Sequence, residues 1–415
     1  MKEHTASHAT APTVAWANLH EHARLQVQQF IQSLLEEEIT ELLGRAKSER
    51  RDPEAESETA AYRNGFGKPR QLTTPLGTLT VRRPRVRGLE ERFESAVLPL
   101  FRRRTAEVDA LLPELYLHGL AEGDFDQALR GLLGKAAPIS ASSVARLKGV
   151  WQQQYEEWGN RSLAELQVVY LWVDGIYVKA GLEKEKAALL VAVAGLVDGS
   201  KVVLAVQAGA RESTESWSVL LRGLKQRGLN CPCLVMGDGH LGIWGALANV
   251  FPEAREQRCW NHRILNLLDQ IGKKGQAQAK VWLRQIMYAE TREEAEALKA
   301  KFQRWCAQRG WSQAGKLLDH DWERLVAYYD FPKAHWKHLR TTNPVESPFA
   351  AVRLRTTAAK RYKRVENATA VLWKLLMLAE RSFRRLNGHH LLGEVAAGVT
   401  FKNGERQREI GRAAA

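Results

Sequence analysis

The chain has 415 residues, a formal net charge of +14, 45% hydrophobic content and four cysteines. Its length exceeds what one hydrophobic core serves, so two or three domains are expected, a mainly disordered chain is excluded, and the sparse cysteines fit a reducing compartment. The excess of Lys and Arg calls for a polyanionic partner, and nucleic acid is favoured over lipid: the apolar run "AALLVAVAGLV" is far short of the roughly 18 residues that cross a bilayer, and no apolar signal segment opens the chain.

Residues 1–50 contain "LQVQQFIQSLLEEEITELLGR", apolar at helical spacing and stopped by Gly44, which predicts an amphipathic helix. A polar linker is expected over 51–70. Residues 71–100 carry short β-prone runs broken by Pro and Gly, with arginines at 82, 83, 85, 87 and 92. They predict a small basic β unit in which Arg82, Arg83, Arg85 and Arg87 are candidate contacts to DNA phosphates. Residues 101–160 read as helical, and "APISASSVARLKGV" suits either a DNA-binding helix-turn-helix or a plain helical hairpin.

From residue 165 the pattern changes. "LQVVYLWVDGIYVKAG" is a nearly continuous apolar run of β-prone residues, as in a strand buried on both faces. Two more such runs follow in "KAALLVAVAGLVDGSKVVLAVQAG", divided by the hairpin signal Asp198-Gly199. Next come a capped amphipathic helix ending at Gly228, a short strand "CPCLVMGDGH" that stops at Asp238, a further helix, and "REQRCWNHRILNLLDQI", a strand running into a helix. This succession predicts a mixed α/β sheet with helices on its faces.

Three Asp-Gly pairs occur here, and their settings differ. Asp198 has a sufficient role in its turn. Asp174 is expected to close one apolar strand and Asp238 to stand at the tip of another, so both acids would converge at one edge of the sheet. Two such carboxylates, with a third nearby, suit Mg²⁺, which prefers hard oxygen ligands and keeps part of its water shell for phosphate. Glu346, in "TTNPVESPFAAVRLRTTAAKRYKR", is the candidate third ligand. It also has a structural reading: Asn343 as N-cap, Pro344 at the first helical position and Glu346 at the third would form a capping box. Six basic residues lie in 353–364, among them Arg353, Arg355, Lys360 and Arg361 as candidate DNA contacts, although a solvated basic face would look the same.

The stretches "YRNGFG", "WVDGIYVKAG", "MGDGH", "QRCWNHRILNLLD" and "FPKAHWKHLRTTNPVESPFAAVRLRTTAAKR" together resemble bacterial insertion-sequence transposases of the Mutator type, with similarity from about Leu34 to Phe401. The resemblance implies a ribonuclease-H-like α/β core over 165–271 and 337–390, interrupted by an α-helical insertion at 272–336 and followed by a tail at 391–415. It implies a catalytic and metal-binding triad at Asp174, Asp238 and Glu346, two Mg²⁺ ions with Mn²⁺ able to substitute, and a second ion that stabilises the leaving oxygen while the first activates water or a 3′-OH. The implied partners are double-stranded DNA, as terminal inverted repeats and as target, and a second copy in a homodimer assembled on DNA, in the bacterial cytoplasm at the nucleoid. The family's Cys-x-x-His signature matches Cys259 and His262; zinc would need two further ligands, for which only Cys231 and Cys233 are at hand, so His262 is expected at the catalytic edge and Cys259 in packing. Two other functions compete: an inactive sequence-specific DNA-binding regulator, and a nuclease or integrase of the same fold. The five tryptophans at 282, 305, 311, 322 and 336 are expected to pack helices, unless one is exposed to stack a base.

Overall fold

The computed structural model describes residues 16–51, 59–120, 124–133, 141–181, 186–209, 211–239 and 241–407. They fall into two units, Met1–Leu147 and Lys148–Ala415. The turn of the helix-turn-helix candidate, at 137–140, lies outside the described residues, as do 52–58 of the expected linker.

In the first unit, helix α1 (Leu19–Leu43) ends at Gly44, whose φ of 69° places it in the left-handed region that a glycine enters without penalty. Leu35, Ile39 and Leu43 are spaced four apart, so they form one stripe along α1, and all three are buried. The stripe covers two short antiparallel ribbons, β1 (Tyr62–Phe66) with β4 (Pro84–Arg87) and β2 (Arg70–Thr74) with β3 (Gly77–Val81). Leu35 clusters with Leu72, Val81 and Leu98, while Ile39 and Leu43 cluster with Ala61. Strand β1 lies in the span expected to be linker. Its register shifts between Arg63 and Phe66, and such a bulge removes the alternation by which a strand is recognised. Helices α2 (Ala106–Leu117), α3 (Phe125–Leu133) and α4 (Ala141–Gly159) follow, the last running on into the second unit.

The second unit is built on a five-stranded mixed sheet. Strands β5 (Val168–Val178), β6 (Ala187–Leu196) and β7 (Lys201–Gly209) form an antiparallel meander. On the other side of β5 lie β8 (Leu234–Gly237) and β9 (Arg255–Arg258), both parallel, giving the order β7-β6-β5-β8-β9. Helices α5 (Thr214–Gln226) and α6 (Leu241–Val250) cover one face, where Leu171, Val173, Leu190 and Ala192 share a core with Trp217, Leu221, Ile243 and Leu247. Each fully buried side chain of this size contributes about 1.5–3 kcal/mol. Because strand side chains alternate, Tyr170, Trp172 and Asp174 project from the opposite face. There Tyr170 Oη lies 2.7 Å from His335 Nδ1, and Trp172 Nε1 donates to the His338 carbonyl at 2.9 Å.

Helix α7 (Trp260–Asp269) leads into α8 (Lys273–Met287), α9 (Arg292–Gln308), α10 (Ser312–His320), α11 (Trp322–Val326) and α12 (Trp336–Leu339). Of the tryptophans in this helical span, Trp322 and Trp336 are buried, and Trp311 covers Gly275 so closely that a Cβ there would overlap its ring. The chain then returns to the sheet through α13 (Asn343–Glu346), α14 (Phe349–Ala359), α15 (Val365–Glu380) and α16 (Leu392–Ala396), and a small hairpin of β10 (Phe401–Lys402) and β11 (Glu405–Arg406) follows. Helix α13 packs on β5 and β6, and α15 packs along β7. Among the described residues, no helix is long and apolar enough to cross a membrane.

Candidate active site

Asp174 stands within β5 and does not end it, contrary to the expectation from sequence; the strand runs on to Val178 paired with β6. What ends near Asp174 is the parallel neighbour. Tyr170, Leu171 and Trp172 pair with Leu234, Val235 and Met236, and the same register carried forward brings Asp174 level with Asp238, the residue after β8. Neighbouring strands are about 4.8 Å apart, so the two carboxylates meet at one height of the sheet. Asp174 is 8% exposed, and its Oδ1 accepts the Gly175 amide at 2.8 Å. Burial pushes its pKa up to about 7, Asp238 and Glu346 adding to the rise, against the Gly175 hydrogen bond and His262. From the other side, a Cβ at Gly175 would meet the Glu212 carboxylate, which would have to shift.

Glu346 reaches this face on α13. The capping box read from sequence is not formed, because the helix begins at Asn343 and Thr342 takes the N-cap position without a side-chain capping bond. Glu346 Oε1 instead accepts the Thr342 hydroxyl, and the Thr342 amide, which a capping glutamate would serve, donates to Cys259 Sγ at 3.4 Å. The Glu346 charge is near enough to Asp174 to raise that residue's pKa.

Cys259 and His262 enter from the strand beyond. The Cys259 amide donates to the Gly237 carbonyl at 2.7 Å, which fixes the start of α7 against the end of β8, and His262 follows in its first turn. Ligand atoms of Cys259, His262 and Glu346 all lie within 4.8 Å of one another. His262 Nδ1 is 3.8 Å from Glu346 Oε1, an electrostatic distance and not a hydrogen bond. The Cys259 sulfur beside the ring, and then Glu346 and Asp238, push the His262 pKa up to about 9 despite the opposing effect of burial. Cys231 and Cys233 are at the opposite end of β8, where the Cys233 amide donates to the Val169 carbonyl, so they do not complete a zinc set with Cys259.

A second charged cluster was not legible in the sequence. Asp321, 3% exposed, is held by Arg258 Nη1 at 2.5 Å and by Arg263 Nη2. Burial, with Arg258 nearby, lowers the Arg263 pKa to about 10, so it remains charged near neutrality. This cluster joins β9 and α7 to the helices that follow. Nothing in the local pattern marks Asp321 as a partner for two arginines some sixty positions earlier.

The candidate DNA contacts divide. Arg82, Arg85 and Arg87 are exposed, and Arg83 is half-buried with Nη2 donating to the Phe93 carbonyl at 2.7 Å. Arg83, Arg85 and Arg87 line a cleft of about 640 Å³ with Lys68, Arg70 and Arg92. In the second unit, Arg353 and Lys360 are exposed, and Arg361 Nη1 donates to the Gly181 carbonyl at 2.9 Å. Arg355 is a correction: it is 2% exposed and turned into the protein, where a DNA backbone does not reach.

Residues 2–385 match the family described as "Transposase, Mutator family". The chain belongs to that family. The transposase is 42% identical over 303 residues to the transposase for insertion sequence element IS6120 of Mycolicibacterium smegmatis, covering 72% of this chain and 94% of the relative. It is 36% identical over 280 residues to the transposase for insertion sequence element IST2 of Acidithiobacillus ferrooxidans, covering 67% and 94%. Among solved structures, the HTLV-2 integrase catalytic core domain in complex with magnesium matches 26% of this chain and 74% of its own at 20% identity, with a TM-score of 0.18, too slight a superposition to establish a shared arrangement.

Proposed function

We propose that this transposase binds the terminal inverted repeats of its own insertion sequence, cleaves the ends and transfers a freed 3′-OH to target DNA, with Asp174, Asp238 and Glu346 holding divalent metal. The observation that carries the reading is the convergence of three carboxylates, two at one height on parallel neighbours and one on the helix packed against them, with a pKa of about 7 at the most buried. Repulsion of this kind is what a cation relieves, and the hard oxygen set fits Mg²⁺, with Mn²⁺ able to replace it. When bound, a pair of such ions would supply the polarisation of the scissile phosphate and the activation of the attacking hydroxyl.

The chain's own residues do the rest. Asp174 and Asp238 would hold the cations against the sheet, which sets where the reacting phosphate can sit, and Thr342 orients Glu346 by its hydroxyl. His262, protonated near neutral pH, places positive charge beside the same phosphate, while Cys259 serves packing by accepting the Thr342 amide. The strand order, three antiparallel strands flanked by two parallel ones, supports a ribonuclease-H-like core over 165–271 and 337–390, and the helices of 272–336 read as an insertion into it. Arg82, Arg85 and Arg87 would position the DNA, and a homodimer would bring the two ends together.

The test uses purified full chain, Mg²⁺ and a labelled duplex bearing one end of the element. A transposase joins the 3′ end to a second duplex. Cleavage without joining would favour a nuclease, and binding without cleavage in either Mg²⁺ or Mn²⁺ would favour a regulator.

A further inference from the structure

We propose that a basic cleft at the far end of β5 holds the sugar-phosphate backbone of duplex DNA about six base pairs from the carboxylates, an assignment that rests on the transposase reading above. The cleft has a volume of about 1100 Å³ and lies where the ends of β5, β6 and β7 meet the start of α15. Lys186, Arg211, Lys363 and Arg364 line it, all exposed, and Glu366 is the one acid among the described lining residues. No aromatic side chain lines it among those residues. A site for splayed bases offers aromatic faces to stack on; a cationic wall without them suits the charged backbone of a paired duplex.

Two elements run from the carboxylates to this cleft, and their lengths agree. Ala180, on the rim, is six residues beyond Asp174 and two past the end of β5, or at most about 20 Å at roughly 3.3 Å per extended residue. Helix α14 starts three residues after Glu346 and has 11 residues, about 16 Å at 1.5 Å each, before the chain turns into the cleft at Lys363 and Arg364. The two ends are tied together, because the Tyr362 amide donates to the Lys179 carbonyl at 2.9 Å and the Gly181 amide to the Tyr362 carbonyl at 3.0 Å. Arg361 donates to Gly181 as well, so it fixes the wall. Arg353 and Lys360 are exposed along the route. With a rise of about 3.4 Å per base, a 20 Å span corresponds to about six base pairs between the reacting phosphate and the gripped one.

The experiment combines Lys186→Ala, Arg211→Ala, Lys363→Ala and Arg364→Ala in the full chain and compares it with the parent on two labelled duplexes, one bearing an end of the element and one of unrelated sequence. The parent should protect backbone about six base pairs from the cleavage position against hydroxyl radicals, and the variant should lose that patch. The slope of log affinity against log salt should fall by about two to four on the duplex that the cleft holds. A change on the end duplex assigns the cleft to the element's DNA, and a change on the unrelated duplex alone assigns it to target DNA. Unchanged protection and slopes, in a variant with the parental melting temperature, would overturn the proposal. Should that variant not fold, Glu366→Gln serves: removing the acid should tighten binding two-fold or more at low salt, and unchanged affinity would count against the cleft. Cleavage by the parent is scored in the same reactions, so a protein that is footprinted but does not cut would sink the transposase mechanism and leave the cleft assignment standing.

Discussion

Two charged clusters flank α7, and adjacent residues of its first turn belong to different ones. His262 faces Asp174, Asp238 and Glu346, whereas Arg263 joins Arg258 around Asp321. The second cluster offsets one buried carboxylate with two guanidiniums. The first sets three carboxylates against a single imidazole, and its most buried acid is driven toward neutrality. A buried carboxylate held by two guanidiniums is paired and serves to hold elements together; a cluster with excess carboxylate is costly until something positive arrives.

The contrast breaks most sharply if the roles can be exchanged. Asp174→Asn or Asp238→Asn should lower cleavage in Mg²⁺ by at least about 10³-fold, several kcal/mol of lost charge stabilisation, while end binding stays within a few-fold. A variant of either kind that cuts at the parental rate would remove that acid from the reaction. Asp321→Ala leaves two buried guanidiniums unpaired and should destabilise folding by about 3–5 kcal/mol in urea unfolding followed by tryptophan fluorescence. A loss below about 1 kcal/mol would mean that the Asp321 cluster does not hold the scaffold.

The unbalanced cluster should also announce itself in the pH dependence of stability. Asp174 has a folded pKa near 7 against an ordinary 3.8, so its contribution is fully present below about pH 4 and is lost as pH rises through about 7. His262 is raised from 6.5 to about 9, so its contribution is present below about pH 6.5 and is lost as pH rises through about 9. Both act in the same direction. His338, lowered from 6.5 to about 4 by burial, acts against them between about pH 4 and pH 6.5, so without divalent ions the decline in melting temperature should be steepest between about pH 6.5 and pH 9, and Mg²⁺ should offset the part of it near pH 7. A profile indifferent to Mg²⁺ would contradict a metal site there. A smaller effect belongs to the first unit: neutralising Arg82, Arg85 and Arg87 should reduce the salt slope of end binding by up to about three, with half-buried Arg83 contributing least.

The sheet was legible because strands buried on both faces leave continuous apolar runs, and the order of three strands, helix, strand, helix, strand, helix could be read from the succession of such runs and amphipathic stretches. The Asp198 turn was legible for a local reason, since its Oδ1 accepts the Ser200 amide and Gly199 takes φ 84°. What escaped depends on tertiary packing. Asp174 lies inside its strand because β6 outruns β8 as a partner, which no local pattern reveals. Arg355 sits in a run of basic residues but on the inner side of α14, and Thr342, not Asn343, precedes the helix, with its amide donating to Cys259 Sγ. Lys363 and Arg364, outside the expected contacts, face the cleft only because the chain folds back onto β5.

The most direct test of the account is Glu346→Gln, assayed for both stability and strand cleavage. The substituted side chain keeps a carbonyl oxygen that can accept the Thr342 hydroxyl, so folding stability should remain within about 1 kcal/mol of the parent. The neutral amide would nevertheless lack the charge that holds a hard divalent ion, so cleavage and joining in Mg²⁺ should disappear. Stability retained with activity lost is the predicted result. Cleavage at the parental rate would contradict it and reduce Glu346 to a structural partner of Thr342.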